Sequence, residues 1–139
     1  MSVECFLDTN ILVYAVSALR EDATKKARAL DLIQTADFGV SLQVLQEFYV
    51  TVTRKIQRPL EPEKAVALLE EFRLFPTAYT DYPLILSAIE HSLRYGISYW
   101  DGAIVAAAEA LEASVLFTED LSHNQHYGTT RVVNPFLEA

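Results

Sequence analysis

The sequence predicts an α/β protein built on a parallel sheet. Two observations carry that expectation. Short apolar runs of strand character alternate with helical patterns along the 139 residues, which calls for parallel strands joined by right-handed crossovers. Acidic residues also stand just after several of those runs, and in such sheets ligand sites form in the crevice beyond the carboxyl ends of the strands.

The first run, residues 3–7, ends abruptly at Asp8, and the helical pattern Ile11, Leu12, Tyr14, Ala15 begins almost at once. A buried strand is handing over to a short helix over 10–17, with Thr9 or Asn10 able to cap it. After a polar break at 17–22, Ala23, Ala27, Leu30 and Ile33 give a helical stripe. Residues 38–41 form a second strand. Leu45, Phe48, Tyr49, Val52 and Ile56 then recur at the spacing of an amphipathic helix. The stretch Arg58-Pro59-Leu60-Glu61-Pro62 breaks it, and Pro62 suits the first turn of the next helix, with Ala65, Leu68, Leu69 and Phe72 on its buried face.

Residues 75–79 suit a short strand, at an edge because of Pro76. Asp81 caps a helix with Pro83 in its first turn, and Ile85, Leu86, Ile89 and Leu93 carry it to Gly96, a natural stop. Ser98 opens a helix to about residue 112 that is apolar nearly all round, the mark of a buried helix. Residues 114–118 are a strand, 119–128 a polar loop with at most one helical turn, and 130–133 a last strand ended by Asn134-Pro135.

One domain, residues 1–139, is the expected organisation, without repeats or linkers. With 51% hydrophobic residues, the chain is not expected to be disordered. The lone cysteine, Cys5, has no internal disulfide partner and sits in an apolar strand, which fits a reduced core thiol and a cytoplasmic setting. Glu4 and Asp8 interrupt any signal-peptide core, and no apolar run approaches the roughly 20 residues needed to cross a bilayer. A net charge of −8 argues against a general nucleic-acid binder, but it is also what a chain holding carboxylates for a cation looks like.

Four acids stand where a site would form. Asp8 ends the first strand, where alone it is a helix cap. Glu47 lies inside the helix after the second strand, turned nearly opposite the apolar stripe; periodicity alone makes it a solvated glutamate. Its helix starts at a strand's carboxyl end, however, so it can face the same crevice. Asp101 is in the first turn of the most buried helix, where Ser98-x-x-Asp101 fits a capping box and the helix dipole favours a carboxylate. Asp120 follows Thr118-Glu119 directly after a strand, where alone it is a turn residue. Crowded carboxylates raise one another's pKa, and a divalent cation removes that penalty. Hard oxygen ligands suit Mg²⁺ or Mn²⁺, which can polarise a phosphoryl oxygen and generate a hydroxide at neutral pH.

The ordered blocks Phe6-Leu7-Asp8-Thr9-Asn10, Gln46-Glu47-Phe48, Tyr99-Trp100-Asp101 and Phe117-Thr118-Glu119-Asp120, closed by Val132-Val133-Asn134-Pro135-Phe136, carry a resemblance. Nearly the whole chain resembles a PIN-domain ribonuclease, most closely the VapC-type toxins of toxin–antitoxin pairs. The resemblance implies a three-layer α/β/α sandwich with a central parallel sheet. It implies a Mg²⁺ or Mn²⁺ site made by Asp8, Glu47, Asp101 and Asp120, with Asn10 and Thr118 holding the carboxylates. The implied activity is endonucleolytic cleavage of RNA. The implied partners are a small cognate antitoxin and a second copy of the chain, with no membrane. Tyr49, Ile56 and Leu60 would serve such contacts or be ordinary core. The chain departs from many relatives in having Gly102 rather than alanine after Asp101, which should loosen the helix start.

Two rivals remain open. A Mg²⁺-dependent phosphatase is the weaker, since no second aspartate stands two residues after Asp8 and no lysine lies near Asp120. A non-catalytic PIN-like module that only binds a partner is the other. Two basic runs, Arg20/Lys25/Lys26/Arg28 and Arg54/Lys55/Arg58, are RNA-phosphate contacts or solvated helix faces. His123 and His126 lack further ligands for zinc. Trp100 and Tyr99 stand beside Asp101, where core packing of Trp100 is expected over base stacking.

Overall fold

The computed structural model describes residues 2–137. A six-stranded sheet runs through it in the order β3-β2-β1-β4-β6-β5. The strands are β1 (Cys5–Leu7), β2 (Phe38–Ser41), β3 (Thr77–Ala78), β4 (Val115–Phe117), β5 (His126–Tyr127) and β6 (Thr130–Val133). Pairings from β3 across to β6 are parallel, and only β5 runs antiparallel to β6. The helices are α1 (Thr9–Ala15), α2 (Ala23–Thr35), α3 (Leu42–Val50), α4 (Pro62–Phe72), α5 (Tyr82–Tyr95) and α6 (Tyr99–Ala110). A 3₁₀ turn, Arg20–Asp22, precedes α2, and a π-helical turn, Thr51–Lys55, extends α3. This is the expected α/β/α sandwich.

The chain steps outward from β1 to β2 to β3, then returns to lay β4 on the other side of β1. Right-handed crossovers put α1–α4 on one face and α5–α6 on the other, and the strand order reverses between β1 and β4. That reversal opens a crevice at their carboxyl ends. Register fixes what meets there: Leu7 pairs with Phe117, so Asp8 and Thr118 come next to each other, and the Asp8 amide donates to the Phe117 carbonyl at 3.1 Å.

The core forms where strand and helix apolar faces meet. Phe6, Leu7, Ile11, Leu12, Val40, Val44, Phe48, Val52, Val105, Leu116 and Val132 are fully enclosed. Burying each such side chain is worth roughly 1.5–3 kcal/mol. Cys5 belongs to this core, and burial, reinforced by Asp37 and Glu4, pushes its thiol up to about 11, so it is inert.

Several expectations need correction. On α2 the buried residues are Ala29 and Leu32, one position off the predicted stripe, and Ala23 and Ala27 are exposed. On α3 the deepest line is Val44, Phe48 and Val52; Tyr49, Ile56 and Leu60 are half-buried against the core. On α5 the core residues are Leu84, Ala88 and His91, whereas Leu86, Ile89 and Leu93 face outward. The cause is the α5–α6 contact. A Cβ on Gly102 would collide with the Ala88 carbonyl oxygen, so the two backbones touch and only small residues fit between them. Gly102 is therefore a packing requirement, not a loosening of α6. The polar loop over 119–128 contains no helical turn; its end folds back as β5 through Gly128, whose φ of 60° suits glycine.

Candidate active site

Asp8 caps α1 and is 5% exposed. One oxygen accepts from the Thr9 amide at 2.7 Å and the other from the Thr118 hydroxyl at 2.8 Å. Thr118 is itself held: its oxygen accepts from Asn10 Nδ2 and from the Asp120 amide, each at 3.1 Å. Asn10 Nδ2 also donates to Asp120 Oδ2 at 3.1 Å. Residues predicted as supports, Asn10 and Thr118, thus tie Asp8 to Asp120 across the strand reversal.

Glu47 reaches the same crevice from α3, half-buried. Its Oε1 accepts from the Thr9 hydroxyl at 2.8 Å and its Oε2 from Gln43 Nε2 at 3.3 Å. Gln43 also donates to the Trp100 carbonyl at 3.2 Å, joining the start of α6 to α3. Sequence reasoning missed Gln43, although its i, i+4 relation to Glu47 on one helix was a usable signal. Asp101 sits half-buried in the first turn of α6, where its amide donates to Ser98 Oγ at 3.0 Å; this is the cap half of the predicted box.

The electrostatics follow from this crowding. Burial chiefly, then the charges of Asp120 and Glu47, push the Asp8 carboxyl up to about 7, against the lowering effect of its hydrogen bonds from Thr9 and Thr118. Asp101 is raised for the same reasons: burial first, with Asp120 and Glu47 adding to it. Each of the four acids is therefore within electrostatic reach of others, and no ion pair among the described residues involves any of them. Lys25 is bound to Glu119 at 3.0 Å and to the Tyr14 hydroxyl at 3.1 Å.

The donors are all oxygen. Asn10 Oδ1, buried, has no partner, so the amide that braces the cluster through Nδ2 carries a spare acceptor oxygen. Both facts fit a hard divalent cation. Among the described residues, however, no three acidic, histidine or cysteine side chains stand close enough to hold an ion together.

Two other expectations resolve here. Trp100 is not core: it is 63% exposed, edge-on to Tyr99 with ring centroids 4.9 Å apart. His123 is a structural acceptor, its Nδ1 taking the Asn134 amide at 2.9 Å.

A parallel α/β/α sandwich with its acids gathered at the strand reversal defines a class of α/β proteins that bind at the carboxyl edge of the sheet. Within that class the chain matches the PIN domain family over residues 5–128, and it belongs to that family. No curated protein matches it. Solved structures do. A toxin–antitoxin complex from Klebsiella pneumoniae is 20% identical, with a TM-score of 0.67, covering 94% of this chain and 97% of that one. VapC20 of Mycobacterium tuberculosis, a toxin that cleaves the sarcin–ricin loop, is 18% identical, with a TM-score of 0.65, covering 84% and 91%. DNA-bound VapBC from Salmonella typhimurium is 17% identical, with a TM-score of 0.64, covering 94% and 96%. At such identities the likeness is one of fold.

Proposed function

We propose that this chain is a Mg²⁺- or Mn²⁺-dependent endoribonuclease, the toxin of a type II toxin–antitoxin pair, acting as one domain in the cytoplasm. The observation that carries the reading is Asp8: a buried carboxyl raised to about 7, beside two further acids and without a cationic partner among the described residues. Its capping role needs no such company of acids, and their crowding around a buried carboxyl favours a cation there. The similar VapC20, a toxin that cleaves the sarcin–ricin loop, supports RNA as the substrate class, and the similar toxin–antitoxin complexes support a small antitoxin as partner.

When bound, the ion would polarise a phosphoryl oxygen and supply a hydroxide nucleophile near neutral pH. Asp8 and Asp101 are its direct ligands in this reading. Asp120, fixed by Asn10, completes the oxygen set or holds a second ion. Glu47, with both oxygens steadied by Thr9 and Gln43, orients the attacking water and accepts its proton at Oε1 or Oε2. Thr118 keeps Asp8 in its rotamer.

The outward face of α5 supports the second copy. Tyr82, Leu86, Ile89 and Leu93 are exposed and spaced i, i+4, i+7, i+11, the seam spacing of two packed helices, and a two-fold axis would bring the same seam onto itself. Leu86→Glu with Leu93→Glu should give a monomer by sedimentation; a parent chain already monomeric at micromolar concentration ends this part of the reading.

One observation favours the non-catalytic module instead, namely that the acids stand too far apart to hold an ion without moving. The deciding experiment is cleavage of a mixed RNA pool with Mn²⁺, with and without EDTA, by the parent and by Asp8→Asn. Cleavage that needs both the metal and Asp8 supports the nuclease. No cleavage, or cleavage indifferent to both, removes it.

A further inference from the structure

Of the two basic runs, the first is free among the described residues only at Arg20, which does not line the groove beside the acids. Lys25 is bound to Glu119 and Tyr14, Lys26 donates to the Ser17 carbonyl, and Arg28 is bound to Asp31 and the Pro135 carbonyl. Arg54, Lys55 and Arg58 make no ion pair and no side-chain hydrogen bond among the described residues. Lys55 and Arg58 line a groove of about 740 Å³ that runs between α1 and the π-helical turn, and Glu47 and Asp120 line the same groove. Lys55 follows Glu47 by eight residues, along the end of α3 and the π-helical turn, so it lines the groove away from the acids and is placed for a phosphate other than the one being cut. π-Helical turns are commonest at functional sites, and this one turns Lys55 into the groove.

Trp100 stands at the Gln43 end of α3, the opposite end of that helix from Lys55. It precedes Asp101, its carbonyl shares Gln43 with Glu47, and its indole is 63% exposed. A large apolar ring left in water beside a polar crevice is a stacking platform for a base.

We propose that single-stranded RNA crosses the site along this line, with Lys55 and Arg58 gripping a backbone phosphate at one end of α3 and Trp100 stacking on a base at the other. The inference rests on the ribonuclease reading and adds the strand's path. It also selects substrate form: a duplex cannot offer an unstacked base to Trp100, so cleavage falls in loops and single strands. The groove's apolar wall, Val13, Leu19, Val50 and Ile56, would equally admit a polypeptide segment, and the test separates the two.

Trp100 is the chain's only tryptophan, so its fluorescence reports on its own contacts. A labelled oligoribonucleotide is titrated in Ca²⁺ into the parent chain, Lys55→Ala/Arg58→Ala, Trp100→Ala, and the charge control Arg73→Ala, whose exposed arginine pairs among the described residues only with Glu70. We expect RNA to quench the parent's tryptophan and a matched duplex to leave it bright. The double variant should bind about ten-fold more weakly, with its plot of log affinity against log salt flatter by about 0.7, the contribution of one neutralised phosphate on a single strand. Trp100→Ala should lose about five-fold or more. In Mn²⁺ the same changes should appear in KM more than in kcat. If the parent binds and cleaves RNA but these variants bind like Arg73→Ala, the path is wrong while the nuclease reading stands, and the groove is left for a polypeptide. If the parent neither binds nor cleaves RNA, both fail.

Discussion

The two ends of α6 hold acids in opposite circumstances. At its start, at the carboxyl edge of the sheet, Asp101 faces Asp120 and Glu47 with no cation paired to any of them, and Asp8 lies buried beside the same two charges. Near its other end, Glu109 is fully engaged. Its Oε1 meets His91 Nε2 at 2.5 Å, and its Oε2 accepts from the Thr129 amide at 2.9 Å and the Thr129 hydroxyl at 3.1 Å. Asp101 and Glu109 are both half-buried, so burial does not distinguish them; company does. Glu109 pins the β5–β6 hairpin to the α5–α6 pair, and a Cβ on Gly128 would strike its carboxylate. That acid serves the fold. The acids at the start of α6 repel one another, which costs the fold and is worth having only for what they bind.

The largest expected effect tests that distinction directly. Asp8→Asn and Asp101→Asn should each lower Mn²⁺-dependent RNA cleavage by more than the roughly 10–100-fold that removing an outer-shell partner costs, while far-UV circular dichroism is unchanged. Glu109→Ala should do the reverse: cleavage per folded molecule is kept, but urea unfolding loses roughly 1–3 kcal/mol, because the buried His91 is left unpaired. Equal behaviour at the two ends would break the comparison.

A smaller effect has a sign that burial and repulsion together require. The Asp8 carboxyl rises from 3.8 to about 7 on folding, so the folded state holds its proton more tightly. The resulting stabilisation is full below about pH 3.8, declines as pH rises, and is gone above about 7; three units correspond to about 4 kcal/mol. Asp8→Asn escapes this loss but gives up part of its hydrogen bonding to Thr9 or Thr118. The metal-free variant should therefore exceed the parent by about 2 kcal/mol at pH 8, with the gap vanishing between about pH 5 and 6 and reversing sign below that. Mn²⁺ at about 100 times its Kd should add about 2.7 kcal/mol to the parent and little to the variant. A variant less stable than the metal-free parent at pH 8 would make Asp8 an ordinary cap.

Much of the candidate site's arrangement was legible because strand ends announce themselves. Asp8 and Asp120 follow apolar runs directly, and a parallel sheet brings such positions to one edge whatever the strand order. Glu47 was legible only through its helix's starting point, since its angle opposite the apolar stripe is equally that of a solvated residue. The His91–Glu109 pair was not legible: the residues are 18 apart on two helices, and nothing local says that α5 and α6 lie antiparallel. Nor was the orientation of α5, because that helix is apolar on two faces. Leu84 and Ala88 meet α6, while Leu86, Ile89 and Leu93, larger and more regular in spacing, face out. Periodicity finds a stripe; it does not find which stripe the neighbour can approach. Trp100 misled for a related reason, since its size argues for burial and its position at a crevice rim overrides that.

Gly102 offers the finest test of how the two ends of α6 are coupled. By helix propensity alone, Gly102→Ala should stabilise α6 by about 1 kcal/mol. The added methyl would collide with the Ala88 carbonyl oxygen and stand 3.2 Å from the Ser92 amide nitrogen, both backbone atoms that cannot swing aside. Forcing α5 away costs about 1–3 kcal/mol, so the two terms nearly cancel and a net loss of about 1 kcal/mol is expected in thermal or urea unfolding. The displacement should also be felt at the far end, because His91 rides on α5 and Glu109 on α6. Combined with Glu109→Ala, Gly102→Ala should therefore cost less than it does alone, since the contact it strains is already gone. Strict additivity of the two losses would mean that α5 tilts locally at Ala88, and that the acid end and the hairpin end of α6 are independent.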